Sequence, residues 1–260
     1  MREAANVNYH VRSTAPQAFE FDVDGVVGEL ASPELVATQV WVQDLRKTGA
    51  SVAFEADGIL FERHHSATTS FDDTRNWQAS YDAELRALLI DTIGADEVIV
   101  FDHTVRIDEP TAARRPARNV HNDYSAAGAE QRLIDIVGAT RAAEFRRGHY
   151  AFVNVWRPIE QPIQSSPLGF IRPSSIAASD WVEIGLIYPD RVGQILGVTA
   201  NQQHDWFYLS AMTPDDVAIF NIYDNGSLPH LGHSALDMPG ESPTTPRKSI
   251  ESRTLVRYAR

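Results

Sequence analysis

The chain has 260 residues, 43% of them apolar and 22% charged, which is enough apolar mass for one sizeable core. A formal charge of −12 excludes a general nucleic-acid binder, because phosphate neutralisation needs a basic face. The absence of cysteine excludes thiolate nucleophiles, iron–sulfur clusters, cysteine zinc sites and disulfides, and leaves histidine and carboxylate as metal ligands. The first residues are polar, with no apolar signal region, and no apolar run is long enough to span a bilayer. A cytoplasmic protein with no membrane and no nucleic-acid partner is expected.

In chain order, residues 1–16 read as a polar N-terminal arm. Ala18–Val23 alternates like a strand and runs into turns at Gly25 and Gly28. Ser32-Pro-Glu carries a helix-start signature: a serine cap, proline at the first helical position and glutamate in the first turn. Ser51–Glu55 and Ile59–Arg63, separated by Ala-Asp-Gly, predict a hairpin. His64 and His65 follow it; as neighbours on a strand they face opposite sides, so they read as surface or rim residues rather than a chelating pair. Asp73–Gly94 spaces Trp77, Tyr81, Leu85, Leu88, Leu89 and Ile93 at helical intervals, which predicts a helix packed on a sheet.

Glu97–Arg106 is β-branched and strand-like, and Asp108–Pro116 is a polar, proline-bounded loop. After Asp123 the chain turns, Ser125 caps a helix, and Gly138 splits Ala126–Val137 from Thr140–Arg147. Short strands with intervening turns then predict an antiparallel sandwich or barrel. They are Tyr150–Trp156, Leu168–Arg172, Trp181–Tyr188, Asp205–Ala211, Val217–Tyr223 and Ser249–Tyr258. With no repeat or linker, residues 1–260 read as a single domain.

The chemistry-bearing stretch is Arg118-Asn-Val-His121-Asn-Asp123-Tyr124-Ser125. Side chains two apart on a strand share a face, so His121 and Asp123 supply two of the three ligands of a 2-His-1-carboxylate triad. His230 and His233, three apart, face opposite sides, so one of them at most completes the set. His233 has small neighbours and runs into Ala235-Leu236 as a strand, whereas His230 follows a proline and ends a loop. Farther on, Arg247 and Ser249 share a strand face and suit the distal carboxylate of a 2-oxo-diacid. Arg253 falls on the same face, as a second candidate for that carboxylate or for a substrate carboxylate.

These residues resemble the non-haem iron(II)/2-oxoglutarate oxygenases of the CmcJ/AsaB/NvfI type. The match is carried by Val120–Ser125, Asn154-Val-Trp156-Arg157-Pro158-Ile159, Met212-Thr-Pro-Asp-Asp216 and Tyr223-Asp224. It continues through His233–Leu236 and Pro246–Arg253, and spans roughly residues 50 to 258. The resemblance implies a β-rich α+β fold with a double-stranded β-helix (jelly-roll, cupin-like) core and flanking helices. It implies Fe(II) on His121, Asp123 and His233, 2-oxoglutarate on Arg247 and Ser249, and O₂ as the oxidant. The implied reaction attacks a C–H bond of a small specialised metabolite: hydroxylation by default, with desaturation, cyclisation and peroxidation as other outcomes. Tyr124, Trp156, Phe170 and Trp206 are candidate pocket walls, and Asn154 and Arg157 candidates for polar parts of cosubstrate or substrate. Two alternatives stay open: a cupin-like metal-dependent hydrolase or isomerase without 2-oxoglutarate, and a non-catalytic β-barrel that binds a small molecule. A monomer or homodimer is expected.

Overall fold

The computed structural model describes residues 2–20, 32–72, 74–240 and 245–259. The first half contains strands β1 (Arg2–His10), β2 (Gln17–Glu20) and β3 (Leu35–Asp44), then the helical turns α1 (Leu45–Thr48) and α2 (Phe54–Asp57). It continues with β4 (Ile59–Arg63), α3 (Gln78–Ile93), β5 (Ala95–Ile107), the two-residue β6 (His121–Asn122) and α4 (Ala126–Phe145). The second half runs β7 (His149–Pro158), β8 (Leu168–Ile171), β9 (Trp181–Ile187) and β10 (Val192–Val198). It ends with β11 (Trp206–Tyr208), β12 (Asp216–Asp224), β13 (His233–Ala235) and β14 (Lys248–Tyr258).

Among the described residues the strands form two sheets. The larger has the order β1-β3-β11-β8-β13-β6-β10-β9-β2 and the smaller β4-β12-β7-β14-β5. Neighbours are antiparallel except where β11 meets β3 and β2 meets β9. Strand order departs widely from chain order, so residues far apart in sequence meet across the layers, as expected of a double-stranded β-helix. The core between the sheets gathers Phe152, Trp156, Phe170, Phe207, Phe220 and Leu255. α3 covers the outer face of the smaller sheet, burying Tyr81, Leu85, Leu88 and Leu89 against Val153, Val155, Val217 and Ile250. That double coverage explains why β7 is buried along nearly its whole length instead of alternating with solvent. A third cluster, with Val7, Tyr9, Val42, Val198 and Trp206, lines the far side of the larger sheet.

Most predicted elements are present, β5 and five of the six later strands within about two residues; α3 starts five residues after Asp73, and β11 stops three residues short of Ala211. Ser125 accepts from the Gly128 amide as the cap of α4, and Gly138, at φ 78, breaks that helix internally. Three expectations are corrected. Arg2–His10 is no loose arm but β1, paired along its length with β3, because Ala5, Val7 and Tyr9 point inward in alternation. The segment after Ser32 is strand β3 rather than a helix: its β-branched run Val36-Ala-Thr-Gln-Val-Trp-Val with Val40 and Val42 buried outweighs the cap signal. The first arm of the predicted hairpin is the helical turn α2, closed by Gly58 at φ 70. A Cβ on Gly58 would lie 2.2 Å from the Pro229 carbonyl oxygen, so no larger residue fits there. The end of the predicted strand after Glu20 and the turns at Gly25 and Gly28 lie outside the described residues. No helix among the described residues is long and apolar enough to cross a membrane.

Candidate metal centre and cosubstrate pocket

His121 lies on β6 and His233 on β13, and the two residues are register partners in adjacent antiparallel strands. Their rings sit 4.4 Å apart, centroid to centroid. Asp123 follows β6 directly and brings its Oδ1 to 3.4 Å from His121 Nε2. One ligand atom from each of the three residues lies within 4.8 Å of the others, the one such cluster among the described residues.

The donor atoms fit a divalent cation. His121 Nδ1 donates to the Asn119 carbonyl at 2.8 Å, so in the neutral ring the Nε2 lone pair faces Asp123. A lone pair and a carboxylate oxygen facing each other at that distance call for a proton or a metal cation between them. Burial, and next the His121 charge, push His233 down to about 3, so its ring presents a neutral donor. The other carboxylate oxygen of Asp123 is already engaged: it accepts from Asn154 Nδ2 at 2.8 Å and from Arg253 Nε at 3.1 Å. Burial pushes the Asp123 carboxyl up, but the Arg253 guanidinium, helped by the two imidazoles, outweighs it and holds the group well below the usual carboxylate range. The site therefore offers two imidazoles and one free carboxylate oxygen, the donor set of a 2-His-1-carboxylate iron centre.

A narrow cavity touches both imidazoles and also Trp156, Arg106, Glu251 and Arg247. Arg247 is buried over the Trp156 ring, 5.0 Å from its centroid. Its guanidinium donates to Ser249 Oγ at 3.2 Å and to the Ser166 carbonyl, while its Nε has no partner. Burial, then the adjacent Arg106, push Arg247 down to about 9, against the pull of Asp108 and Glu251. An anion entering this cavity would meet a desolvated cation with unused hydrogen-bonding capacity. A larger cavity of about 510 Å³, lined by Glu3, Ile163, Tyr208 and Met238 among others, contains no member of the triad.

The remaining candidates divide by strand parity. Trp156 faces the cavity, so Arg157, its neighbour on β7, faces the other way. Arg157 is bonded to His64 Nδ1 at 2.7 Å and stacked over Tyr81 of α3, so it is a packing residue and not a substrate contact. Trp206 is likewise corrected: its neighbour Phe207 packs on Phe170, whereas Trp206 points to the far side and donates to Tyr9 Oη at 2.8 Å. Phe170 lies beneath the metal centre, its ring 6.2 Å from that of His233. Tyr124 packs against Phe152, and burial pushes its phenol up to about 12. Arg253 is held by Asp123 at 3.1 Å, by Asp102 at 2.7 Å and by Glu251 at 2.5 Å, and so orients the Asp123 carboxylate. Asn154 does the same. His65 bonds Asp215 on the surface, and His230 lies before β13 against Trp181, as expected of residues outside the centre.

Four contributors were given no role from the sequence. Glu251 was legible, because the alternation that aligns Arg247, Ser249 and Arg253 on β14 includes it. Arg106, register partner of Ser249 on β5, needed the strand pairing. Asn119, which orients His121 through its backbone, and Ser166, which orients Arg247 through its own, carry no side-chain signal.

Comparison with known proteins agrees with this geometry. A family model described as an oxidoreductase/YMDC permease-like domain matches residues 7–257. The chain is 29% identical over 250 residues to a hydroxylase/desaturase, efuI, of Hormonema carpetanum, covering 84% of this chain and 82% of that one. It is 28% identical to the alpha-ketoglutarate-dependent dioxygenase phiK of a fungal species, covering 78% of each. It is also 28% identical to the Fe(II)/2-oxoglutarate-dependent dioxygenase nvfI of Aspergillus novofumigatus, covering 71% and 69%. A solved structure of a variant of the iron and alpha-ketoglutarate-dependent endoperoxidase NvfI superposes with a TM-score of 0.89 over all of both chains at 23% identity.

Proposed function

The chain belongs to the oxidoreductase/YMDC permease-like family and stands with the CmcJ/AsaB/NvfI-type oxygenases, and on that premise we propose that it is an Fe(II)- and 2-oxoglutarate-dependent oxygenase acting on a C–H bond of a small specialised metabolite. The observation that carries the reading is one cavity that touches both imidazoles of the triad and the buried, partly unpaired guanidinium of Arg247. The second feature suits the far carboxylate of a 2-oxo-diacid, and the matched relatives efuI and phiK are a hydroxylase/desaturase and an alpha-ketoglutarate-dependent dioxygenase.

When bound, Fe(II) with 2-oxoglutarate and O₂ supplies the oxidising power: the cosubstrate leaves as succinate and CO₂, and one oxygen atom goes to the substrate in a hydroxylation. The protein's own residues hold and orient. His121, Asp123 and His233 would hold the metal through three donors, the set that such iron centres use. Asn154 and Arg253 fix which oxygen of Asp123 faces the metal. Arg247 and Ser249 take the far carboxylate of 2-oxoglutarate, and Trp156 and Phe170 keep that region dry. Tyr124 borders the substrate side. Hydroxylation is the default outcome, and substrate placement decides between it and desaturation, cyclisation or peroxidation. The proposal includes a single domain over residues 1–260, a cytoplasmic location and a monomer or homodimer, the last read by size-exclusion chromatography with light scattering.

Anaerobic titration of the chain with Fe(II) and 2-oxoglutarate tests the reading. A weak visible charge-transfer band near roughly 500 nm is expected only when both are present, followed by succinate formation on admitting O₂. Arg247→Ala should raise the 2-oxoglutarate concentration for half-saturation on the order of a hundredfold, the usual cost of losing a buried charged partner. Absence of the band in the unmodified protein defeats the proposal.

A further inference from the structure

We propose that Ser166, Asp108 and Arg118 form a bracket that aims the Arg247 guanidinium at the far carboxylate of 2-oxoglutarate, which makes them positioning residues for the cosubstrate. The inference rests on the oxygenase reading above and goes beyond it by assigning a role to three residues outside the triad and the clamp.

Arg247 is a buried cation whose hydrogen bonds, among the described residues, go to two neutral acceptors, Ser249 Oγ and the Ser166 carbonyl. A guanidinium bonded to a carboxylate of its own protein would be satisfied before any ligand arrived; this one is not. Its orientation therefore depends on where the Ser166 carbonyl points. Ser166 has φ 48, in the left-handed region that side chains other than glycine's rarely adopt, so its conformation must be imposed by its surroundings.

The surroundings that impose it are visible. Ser166 Oγ donates to Asp108 Oδ2 at 2.7 Å and accepts from an Arg118 nitrogen at 3.0 Å. That same nitrogen donates to both oxygens of Asp108, at 2.9 and 3.2 Å, while Arg118 Nε is tied to Asp237 at 2.7 Å. The Asp108 amide, just past β5, donates to the Arg247 carbonyl at 2.9 Å. One aspartate thus grips both the main chain of the clamp residue and the side chain of the serine that holds its guanidinium. Burial pushes the Asp108 carboxyl up, but the Ser166 and Arg118 hydrogen bonds hold it below the usual carboxylate range, so the grip is ionic at neutral pH. The bracket leaves the metal centre alone: Asp123 is oriented by Asn154 and Arg253, and His121 by Asn119.

This separation makes the inference testable by equilibrium binding without turnover. Full-length protein, Ser166→Ala, Asp108→Asn and Arg247→Ala are titrated anaerobically, first with Fe(II) alone and then, Fe(II)-loaded, with 2-oxoglutarate. Ser166→Ala and Asp108→Asn should weaken 2-oxoglutarate binding about 10-fold or more, the usual effect of removing an orienting partner, with Fe(II) affinity held within about twofold. Should Asp108→Asn fail to fold, Ser166→Ala, the smaller change, decides alone. Unchanged 2-oxoglutarate affinity in Ser166→Ala overturns the bracket, and so does a loss of Fe(II) affinity in step with it. If the unmodified, Fe(II)-loaded protein does not bind 2-oxoglutarate, the oxygenase reading itself falls. If that protein binds and Arg247→Ala does not, while Ser166→Ala binds normally, only the bracket falls.

Discussion

His121 and His233 stand opposite each other on neighbouring strands, their rings 4.4 Å apart, with the Asp123 carboxylate 3.4 Å from the first. Two imidazoles and a carboxylate converging in a buried region form a donor set that a bound cation would complete. Asp123→Ala should therefore remove Fe(II) binding, a loss of roughly two orders of magnitude or more in affinity, as expected when one of three ligands goes. The fold should survive, because Arg253 keeps Asp102 and Glu251 as partners. Calorimetric Fe(II) titration beside far-ultraviolet circular dichroism checks both halves; tight Fe(II) binding in the variant would place the metal elsewhere.

Asn154 is the softer probe of the same centre. It donates one hydrogen bond to the Asp123 oxygen that faces away from His121. Asn154→Ala should lower Fe(II) affinity by about 10- to 100-fold, the range for partners that orient a ligand, with little loss of stability. A variant that binds Fe(II) normally would show that Arg253 alone suffices to hold the carboxylate.

Arg253 is expected to behave in the opposite way. It joins Asp123, Glu251 and Asp102, the first two buried. Arg253→Met would leave two buried carboxylates without their cation, and breaking a buried ion pair from one side costs about 3–5 kcal/mol. Urea unfolding of the metal-free protein reads this directly. A midpoint unchanged from the parent would mean that the cluster contributes orientation and no net stability.

Period-2 alternation made most of this centre legible before any coordinates. It aligned His121 with Asp123 and Arg247 with Ser249, and it allowed one of His230 and His233, the choice falling on His233 for its small neighbours and strand continuation. Where the same rule was not carried through, the reading failed: Trp156 and Arg157 are neighbours on β7 and cannot both face the cavity, and Glu251 stands between two residues already on the inner face. The missing strands have another cause. In β1 the apolar members are Ala5, Val7 and Tyr9, too small or too polar in company to stand out from Asn6 and Asn8. In β3 a helix-start signature sat just ahead of a run whose burial in the sheet decided the matter. Asp108 and Ser166 were beyond reach, since their roles come from hydrogen bonds between segments 58 residues apart in the chain.

Gly197 tests how tightly the centre is backed. It is the register partner of His121 on β10, and a Cβ there would come within 2.6 Å of the His10 ring. His10 is buried and cannot swing into solvent. Gly197→Ala should cost about 1–3 kcal/mol as overpacking, and the shift of β10 should also weaken Fe(II) binding. An alanine tolerated without change in melting or in Fe(II) affinity would show slack behind His121.

Acid should weaken the metal-free protein well before its carboxylates titrate. Burial is the leading cause that lowers the proton affinity of His103 and His204 and takes His10 down to about 4. In the unfolded chain these rings titrate near about 6.5. Below that pH the unfolded state binds more protons than the folded one, so stability present above it is lost as pH falls toward each folded value. Asp108, Asp123 and Asp180 are also lowered, but their contributions are lost only below their unfolded values, near about 4. Between about pH 6.5 and 5 the histidines should dominate, each contributing up to about 1.4 kcal/mol per pH unit. His204→Gln, which can still bond Tyr9 and Asp180, removes one titrating group. Its melting temperature should fall less steeply than the parent's across that window, and parallel slopes would show that His204 takes up its proton alike in the folded and unfolded chains.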